Sequence, residues 1–181
     1  EKTKGQELCP QLYDLTALQV DCNKKYGYSA DKTLKTMQSL YEKKVATYPR
    51  VDTRFLTHDI YDECPKILRR LKNYSDVVAP LEGEPLPKSK RVFDDSKVTD
   101  HHAIIPTGET NSNLSDAEMR VYNLICNRFI AVFYPPCVYA QTVITATAGS
   151  EAFKTTGKTI IDLGWKQVYG GADDDEESNV N

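Results

Sequence analysis

The sequence predicts an α+β protein, mainly helical over residues 18–136 and β-rich before and after. Three observations carry this. Apolar residues recur every three or four positions through Leu18–Val45 and again through Leu114–Phe133. From Tyr139 onward the period drops to two, and threonine and β-branched residues dominate. Between these regimes stands Pro135-Pro136, the sharpest composition break in the chain.

Residues 1–17 read as a strand segment, with little helical pattern. Thr16 is the expected N-cap of a first helix carrying Leu18, Cys22 and Tyr26, and Gly27 fits the C′ position that ends it. Ser29 caps a second helix, whose apolar face is Leu34, Met37, Leu40, Tyr41 and Val45. Lys32, Lys35 and Lys43-Lys44 lie on its other face, where a solvated surface explains each of them. This helix is expected to run to Pro49, which cannot continue it.

Thr57 offers a further N-cap, with Asp59 placed favourably for the helix dipole. Pro65 suits the first turn of a helix that ends among Lys66, Arg69, Arg70 and Lys72. Residues 75–113 are irregular, with Pro80, Pro85, Pro87 and Gly83 and the basic cluster Lys88, Lys90 and Arg91. A loop of that length inside a compact domain is usually functional or disordered.

Ser115 with Glu118 forms a capping box, and Leu114 with Met119 a hydrophobic staple. The helix that follows buries Tyr122, Ile125, Cys126, Phe129, Ile130 and Phe133, and Pro135 ends it. Strands are then expected over Tyr139–Ala148, Glu151–Thr156 and Thr159–Leu163, with Gly149-Ser150 as the turn. The domain reading is a strand segment over 1–17, a helical body over 18–136, a β return over 137–170 and an acidic tail over 171–181.

The bulk numbers exclude several classes. A chain of 181 residues with 40% hydrophobic and 27% charged residues is ordinary for a globular protein. Net charge is −3, which makes no global case for nucleic acid. Five acidic residues, Asp173 to Glu177, sit in the tail, read as solvated and disordered. The five cysteines are widely spaced with no CxxC pair. That argues against a disulfide framework or zinc ribbon and for reduced thiols in a cytoplasmic protein. No run is apolar enough to span a membrane. The chain begins with Glu1 rather than methionine, and its first residues read as the interior of a larger protein.

The chemistry concentrates at Ala46–Leu56. Tyr48 lies two residues from Arg50, with Asp52 and Arg54 at alternate positions beyond. A phenol with a reference pKa of about 10 is a poor nucleophile at neutral pH. Fixed cations favour the phenolate and also meet the charge of a phosphodiester. Attack of a tyrosine on phosphate would use such a grouping. From residue types alone a solvated, structural role has the better claim, because the chain holds 11 tyrosines and nucleophilic ones are rare. Asp100-His101-His102 has three readings: an ordinary turn, a metal site, or a phosphate contact.

Four motifs together add a resemblance. Thr47–Leu56 (TYPRVDTRFL), Asp100–Gly108 (DHHAIIPTG), Leu12–Gln19 (LYDLTALQ), and Gly157 with Gly164-Trp165 are similar, in order and approximate spacing, to motifs of the type IA DNA topoisomerases. The Tyr-Pro-Arg run and the doubled histidine resemble the bacterial topoisomerase III branch. Val51 stands where that family usually has threonine, and Thr53 where serine is common.

The resemblance implies a winged-helix-like (CAP-like) tyrosine domain inserted in a β-rich arch, with hinges near residues 12–18 and 134–138. It implies a nucleophile, Tyr48, supported by Arg50 and His101. DNA contacts would come from Arg50, Asp52, Arg54, His101 and His102. It further implies single-stranded DNA and the remaining domains of the parent enzyme as partners, and a nucleoid-associated location. No cofactor is expected in this segment, and Mg2+ is expected on a separate Toprim domain with no match here. Two other functions stay open. One is a non-catalytic single-stranded DNA-binding module. The other is a manganese phosphoesterase, since Asp-His-His-Ala also looks like the DHH signature, although no Asp-x-Asp cluster accompanies it.

Overall fold

The computed structural model describes residues 1–171 and divides into two compact units. One comprises Glu1–Cys9 with the chain from Tyr134 onward; the other is Pro10–Phe133. The acidic tail, expected to be disordered, lies outside the described residues.

The first unit is a three-stranded antiparallel sheet in the order β1-β2-β3: β1 (Lys2–Glu7), β2 (Cys137–Ala148) and β3 (Glu151–Asp162). The hairpin turns at Gly149, as its φ of 64° permits. A strand break was expected at Gly157, yet β3 runs through it. Gly157 pairs with Thr142 in register, and nothing crowds the open space above it. Gly5 faces Tyr139 across the β1–β2 pair, and a Cβ there would lie 2.4 Å from the tyrosine ring. Only glycine leaves room for that ring.

The β return, expected over 137–170, ends in a 3-10 helix, Gly164–Tyr169. Gly164 sits at φ 53°, and its missing side chain lets the chain pass the carbonyls of Pro135 and Pro136. Trp165 is thereby anchored twice. Its backbone N–H donates to the Pro135 carbonyl at 3.0 Å and its indole to the Glu7 carbonyl at 2.9 Å.

The second unit is built on three helices: α1 (Leu15–Tyr26), α2 (Ala30–Glu42) and α5 (Asp116–Ala131). Two shorter helices, α3 (Cys64–Arg70) and α4 (Ser75–Val78), lie in the segment between α2 and α5. The N-cap of α1 is Asp14, not Thr16: the Asp14 carboxylate accepts from the Ala17 N–H at 2.7 Å. Ser29, Gly27 and the Ser115/Glu118 capping box fall where the sequence put them.

Leu18, Cys22, Met37, Leu40, Val121, Leu124 and Ile125 form the centre of the core, joined from the loops by Val45, Val51 and Ile104. Burying one such aliphatic side chain contributes about 1.5–3 kcal/mol. The stripe expected on α5 missed Val121 and Leu124, which are buried in this cluster. A half-buried ion pair links α5 to α1. Arg128 reaches Asp21 at 3.2 Å and donates to the Gln11 carbonyl at 2.7 Å, while its guanidinium lies over the Tyr13 ring at 4.3 Å.

The irregular stretch 75–113 holds short helical turns and three isolated bridges, Tyr13 to Ile104, Ala46 to Pro106 and Leu56 to Phe93. The first sets Ile104 beside the residue before the N-cap of α1, and the second sets Pro106 beside the segment that follows α2.

Candidate active site

Helix α2 ends at Glu42, short of Pro49. The chain reverses at Lys44, whose φ of 63° is in the left-handed region that side chains other than glycine rarely adopt. Residues 45–48 then run extended against residues 104–107. Val45 and Ile105 accept, through their carbonyls, from the Thr107 and Thr47 N–H groups at 3.1 and 3.0 Å. The Thr47 hydroxyl accepts from the Ile105 N–H at 3.0 Å, and the Thr107 hydroxyl donates to the Lys44 carbonyl at 2.6 Å.

This pairing brings together two residues the sequence singled out separately. The Tyr48 and His101 rings stack, with centroids 4.3 Å apart and planes 27° apart. Tyr48 is half-buried and His101 is exposed. A third ring, Tyr41, meets Tyr48 edge-on at 5.5 Å and 85°. Tyr41 had been assigned to the core face of α2; it is 43% exposed, in the last turn of that helix.

Beyond Tyr48 the backbone is pinned. Pro49 is buried and its carbonyl accepts from the Val51 N–H at 3.0 Å, a three-residue turn. The Val51 carbonyl accepts from Leu15 N–H at 3.1 Å, tying the turn to the first residue of α1. The Val51 side chain is buried in the core. Thr53 is also buried: its hydroxyl donates to the Lys97 carbonyl at 2.6 Å and accepts from Phe55 N–H at 3.3 Å.

The remaining candidates separate. Arg50 and Asp52 are exposed, with no hydrogen bond or ion pair among the described residues, so both are free to meet a ligand. Arg54 is engaged: its Nε donates to the Asp14 carboxylate at 3.2 Å, the same carboxylate that caps α1. The two histidines diverge. His102 donates from Nδ1 to the Ala103 carbonyl at 2.7 Å and lines a different groove, with Thr47, Lys66, Ile67 and Arg70. In that groove Lys66 is paired with Glu63 at 2.9 Å, and Arg70 with Glu109 at 3.2 Å.

Among the described residues no three His, Cys, Asp or Glu side chains are placed to hold a metal ion. With His101 on Tyr48 and His102 turned elsewhere, the doubled histidine does not make the paired ligand set a DHH hydrolase needs. Sequence reasoning missed Tyr41 and Thr47 as parts of the site. Their signal is present only as spacing: Tyr41 and Thr47 flank the reversal at Lys44.

Tyr48 and His101, two of the residues that the resemblance singled out, are thus in ring contact, and Arg50 stands exposed two residues along the chain. A family profile described as DNA topoisomerase matches residues 1–181, and the chain belongs to that family. It is 43% identical to DNA topoisomerase 3 of Bacillus subtilis (strain 168) over 98% of this chain and 25% of that protein. The DNA topoisomerase 3 of Bacillus anthracis shows the same identity and the same coverage. The chain thus spans about a quarter of the length of the curated relatives it matches. Its fold is similar to full-length topoisomerase I from Thermotoga maritima, with a TM-score of 0.69 and 24% identity over 93% of this chain and 28% of that one. No helix among the described residues is long and apolar enough to cross a membrane.

Proposed function

We propose that this chain carries the nucleophile of a type IA DNA topoisomerase III and works with other domains of the full-length protein. The observation that carries the reading is the Tyr48–His101 stack, with an exposed, unpaired Arg50 two residues on in the chain, in a chain of this family. The Tyr48 oxygen attacks a phosphorus in single-stranded DNA. A bond from tyrosine to the 5′-phosphate forms, the bond to the 3′-oxygen breaks, and that oxygen leaves as a hydroxyl after taking up a proton. The ester stores the energy of the broken bond, so religation runs the same steps backwards without ATP.

Arg50 holds the non-bridging oxygens through its guanidinium fork. His101, on the ring of Tyr48, reaches the same phosphate. Charge placed where charge develops is the strongest lever in such a site. Strand passage through the opened backbone then relaxes or decatenates DNA, which places the protein with the nucleoid in the cytoplasm. Asp52, Arg54 and His102 supply flanking DNA contacts, Arg54 after exchanging its hold on Asp14 for phosphate.

Magnesium, if the full-length protein uses it, enters on a Toprim domain. The described residues offer no carboxylate cluster that fits it. The chain by itself should therefore neither cleave an oligonucleotide nor relax supercoiled DNA at a useful rate.

The test is trapping of labelled single-stranded oligonucleotide on denaturing gels. In the full-length protein Tyr48→Phe abolishes the covalent adduct and leaves oligonucleotide binding largely intact, because only the hydroxyl is lost. A denaturant-stable adduct with Tyr48→Phe would assign the nucleophile to another residue. An adduct with wild type only also separates this reading from a pure binding module.

A further inference from the structure

Tyr48 is held by two rings, and only one of them belongs to the chemistry proposed above. The other is Tyr41. It sits in the last turn of α2, 43% exposed, on a surface where burial gives no reason for an aromatic residue. Its ring meets Tyr48 at 5.5 Å and 85°, the edge-to-face geometry that aromatic pairs prefer. Its hydroxyl makes no hydrogen bond among the described residues, so the contact is made by the ring alone.

The helix does not produce this contact. In a continuous helix, residues seven apart are separated by about 10.5 Å along the axis. The two rings meet because α2 stops at Glu42 and the backbone turns back through Lys44 at φ 63°. A lysine in the left-handed region is an unfavourable conformation, and such outliers concentrate at functional sites. Here the outlier lies between the two tyrosines and is what folds one onto the other. On the far side, the Thr47–Ile105 hydrogen bonds fix the backbone from which Tyr48 projects.

We infer that Tyr41 is a positioning residue: its ring, together with the His101 stack, holds the Tyr48 side chain in the orientation that aims its hydroxyl at the scissile phosphate. Two contacts, one stacked and one perpendicular, restrict rotation about both side-chain torsions of Tyr48. A nucleophile misaimed by about 1 Å can lose on the order of a hundredfold in rate. This inference rests on Tyr48 being the nucleophile.

The test uses Tyr41→Phe, Tyr41→Leu and Tyr41→Ala in the full-length protein bearing this chain. Single-turnover adduct formation is measured at saturating single-stranded oligonucleotide, and affinity by anisotropy of the same labelled oligonucleotide. Leucine and alanine slow adduct formation by about tenfold or more with little change in affinity, and phenylalanine restores the rate. Adduct formation at the parent rate in the leucine variant overturns the inference. So does a loss that appears in affinity alone, which would make Tyr41 a base-stacking platform. Failure of phenylalanine to rescue assigns the effect to the hydroxyl and overturns it as well.

A second measurement does not depend on catalysis. In this chain with fluorotyrosine incorporated, the Tyr48 fluorine resonance shifts and broadens on Tyr41→Leu and keeps its position on Tyr41→Phe. An unchanged resonance in the leucine variant overturns the positioning role even if Tyr48 proves not to be the nucleophile. An adduct surviving Tyr48→Phe, by contrast, removes the proposed function and leaves the ring contact to this measurement.

Discussion

Thr47 and Ile105, 58 residues apart, are joined twice: the Thr47 N–H donates to the Ile105 carbonyl, and the Thr47 hydroxyl accepts from the Ile105 N–H, both at 3.0 Å. This pair sets the register between the segment carrying Tyr48 and the segment carrying His101. Thr47→Val removes the acceptor and leaves the Ile105 N–H without that partner. The loss should cost about 1–2 kcal/mol of stability, read by urea unfolding, and should lower adduct formation in the full-length protein. Thr47→Ser keeps the acceptor and should retain both.

Arg50→Ala should reduce adduct formation by roughly a hundred- to a thousandfold, the usual consequence of removing one donor to developing charge. Oligonucleotide affinity should fall as well. Arg50→Lys should recover only part of the rate, because a point charge does not reproduce the guanidinium fork. Full recovery by lysine would reduce the role of Arg50 to simple attraction.

His101 offers both a stacked ring and a contact to phosphate. His101→Phe preserves the ring and removes the polar nitrogens; His101→Ala removes both. Adduct formation should fall in each, and further with alanine. If phenylalanine retained the parent rate, stacking would be the whole of the histidine's contribution.

Lys44 occupies a backbone conformation that costs a side-chain-bearing residue about 1–2 kcal/mol. Lys44→Gly should therefore leave stability unchanged or raise it by up to about 1 kcal/mol. Lys44→Val should lower it by about 1–2 kcal/mol and loosen the Tyr41–Tyr48 contact, since a β-branched residue tolerates that region least. Chemical unfolding followed by the helical circular-dichroism signal measures both.

Glu118 gives a pH signature. Burial opposes its charge, but Lys43 at 2.9 Å, the Ser115 backbone N–H and the Ser39 and Ser115 hydroxyls together outweigh it and hold the carboxyl down at about 2, from an ordinary 4.5. A folded pKa below the unfolded one contributes stability that is full above the unfolded value and disappears as pH falls through the folded one. Stability should therefore decline from about pH 4.5 towards pH 2. Glu118→Gln should flatten that decline and cost about 1–2 kcal/mol at neutral pH, through the lost charged hydrogen bonds.

The sequence by itself determined the elements whose signals act within one turn or one strand pair. Ser29, Gly27 and the Ser115/Glu118 box set helix ends through bonds spanning three or four residues, and the alternation after Pro136 set the hairpin. The sequence also placed Tyr48, Arg50 and His101 on the list of candidates, because their motifs are contiguous. Tertiary structure decided the rest. Pro49 looked like the stop of α2, but the helix ends at Glu42, and residues 45 and 47 bond across to 107 and 105 instead of continuing it. The same pairing puts His101 on Tyr48 and turns His102 toward α3, though the two are adjacent in the chain. Val51 and Thr53 could be judged only once their burial was known. Local rules fix which residues can cap, turn or alternate. Which distant rings meet depends on backbone pairing across a long loop, and no periodicity within either segment encodes it.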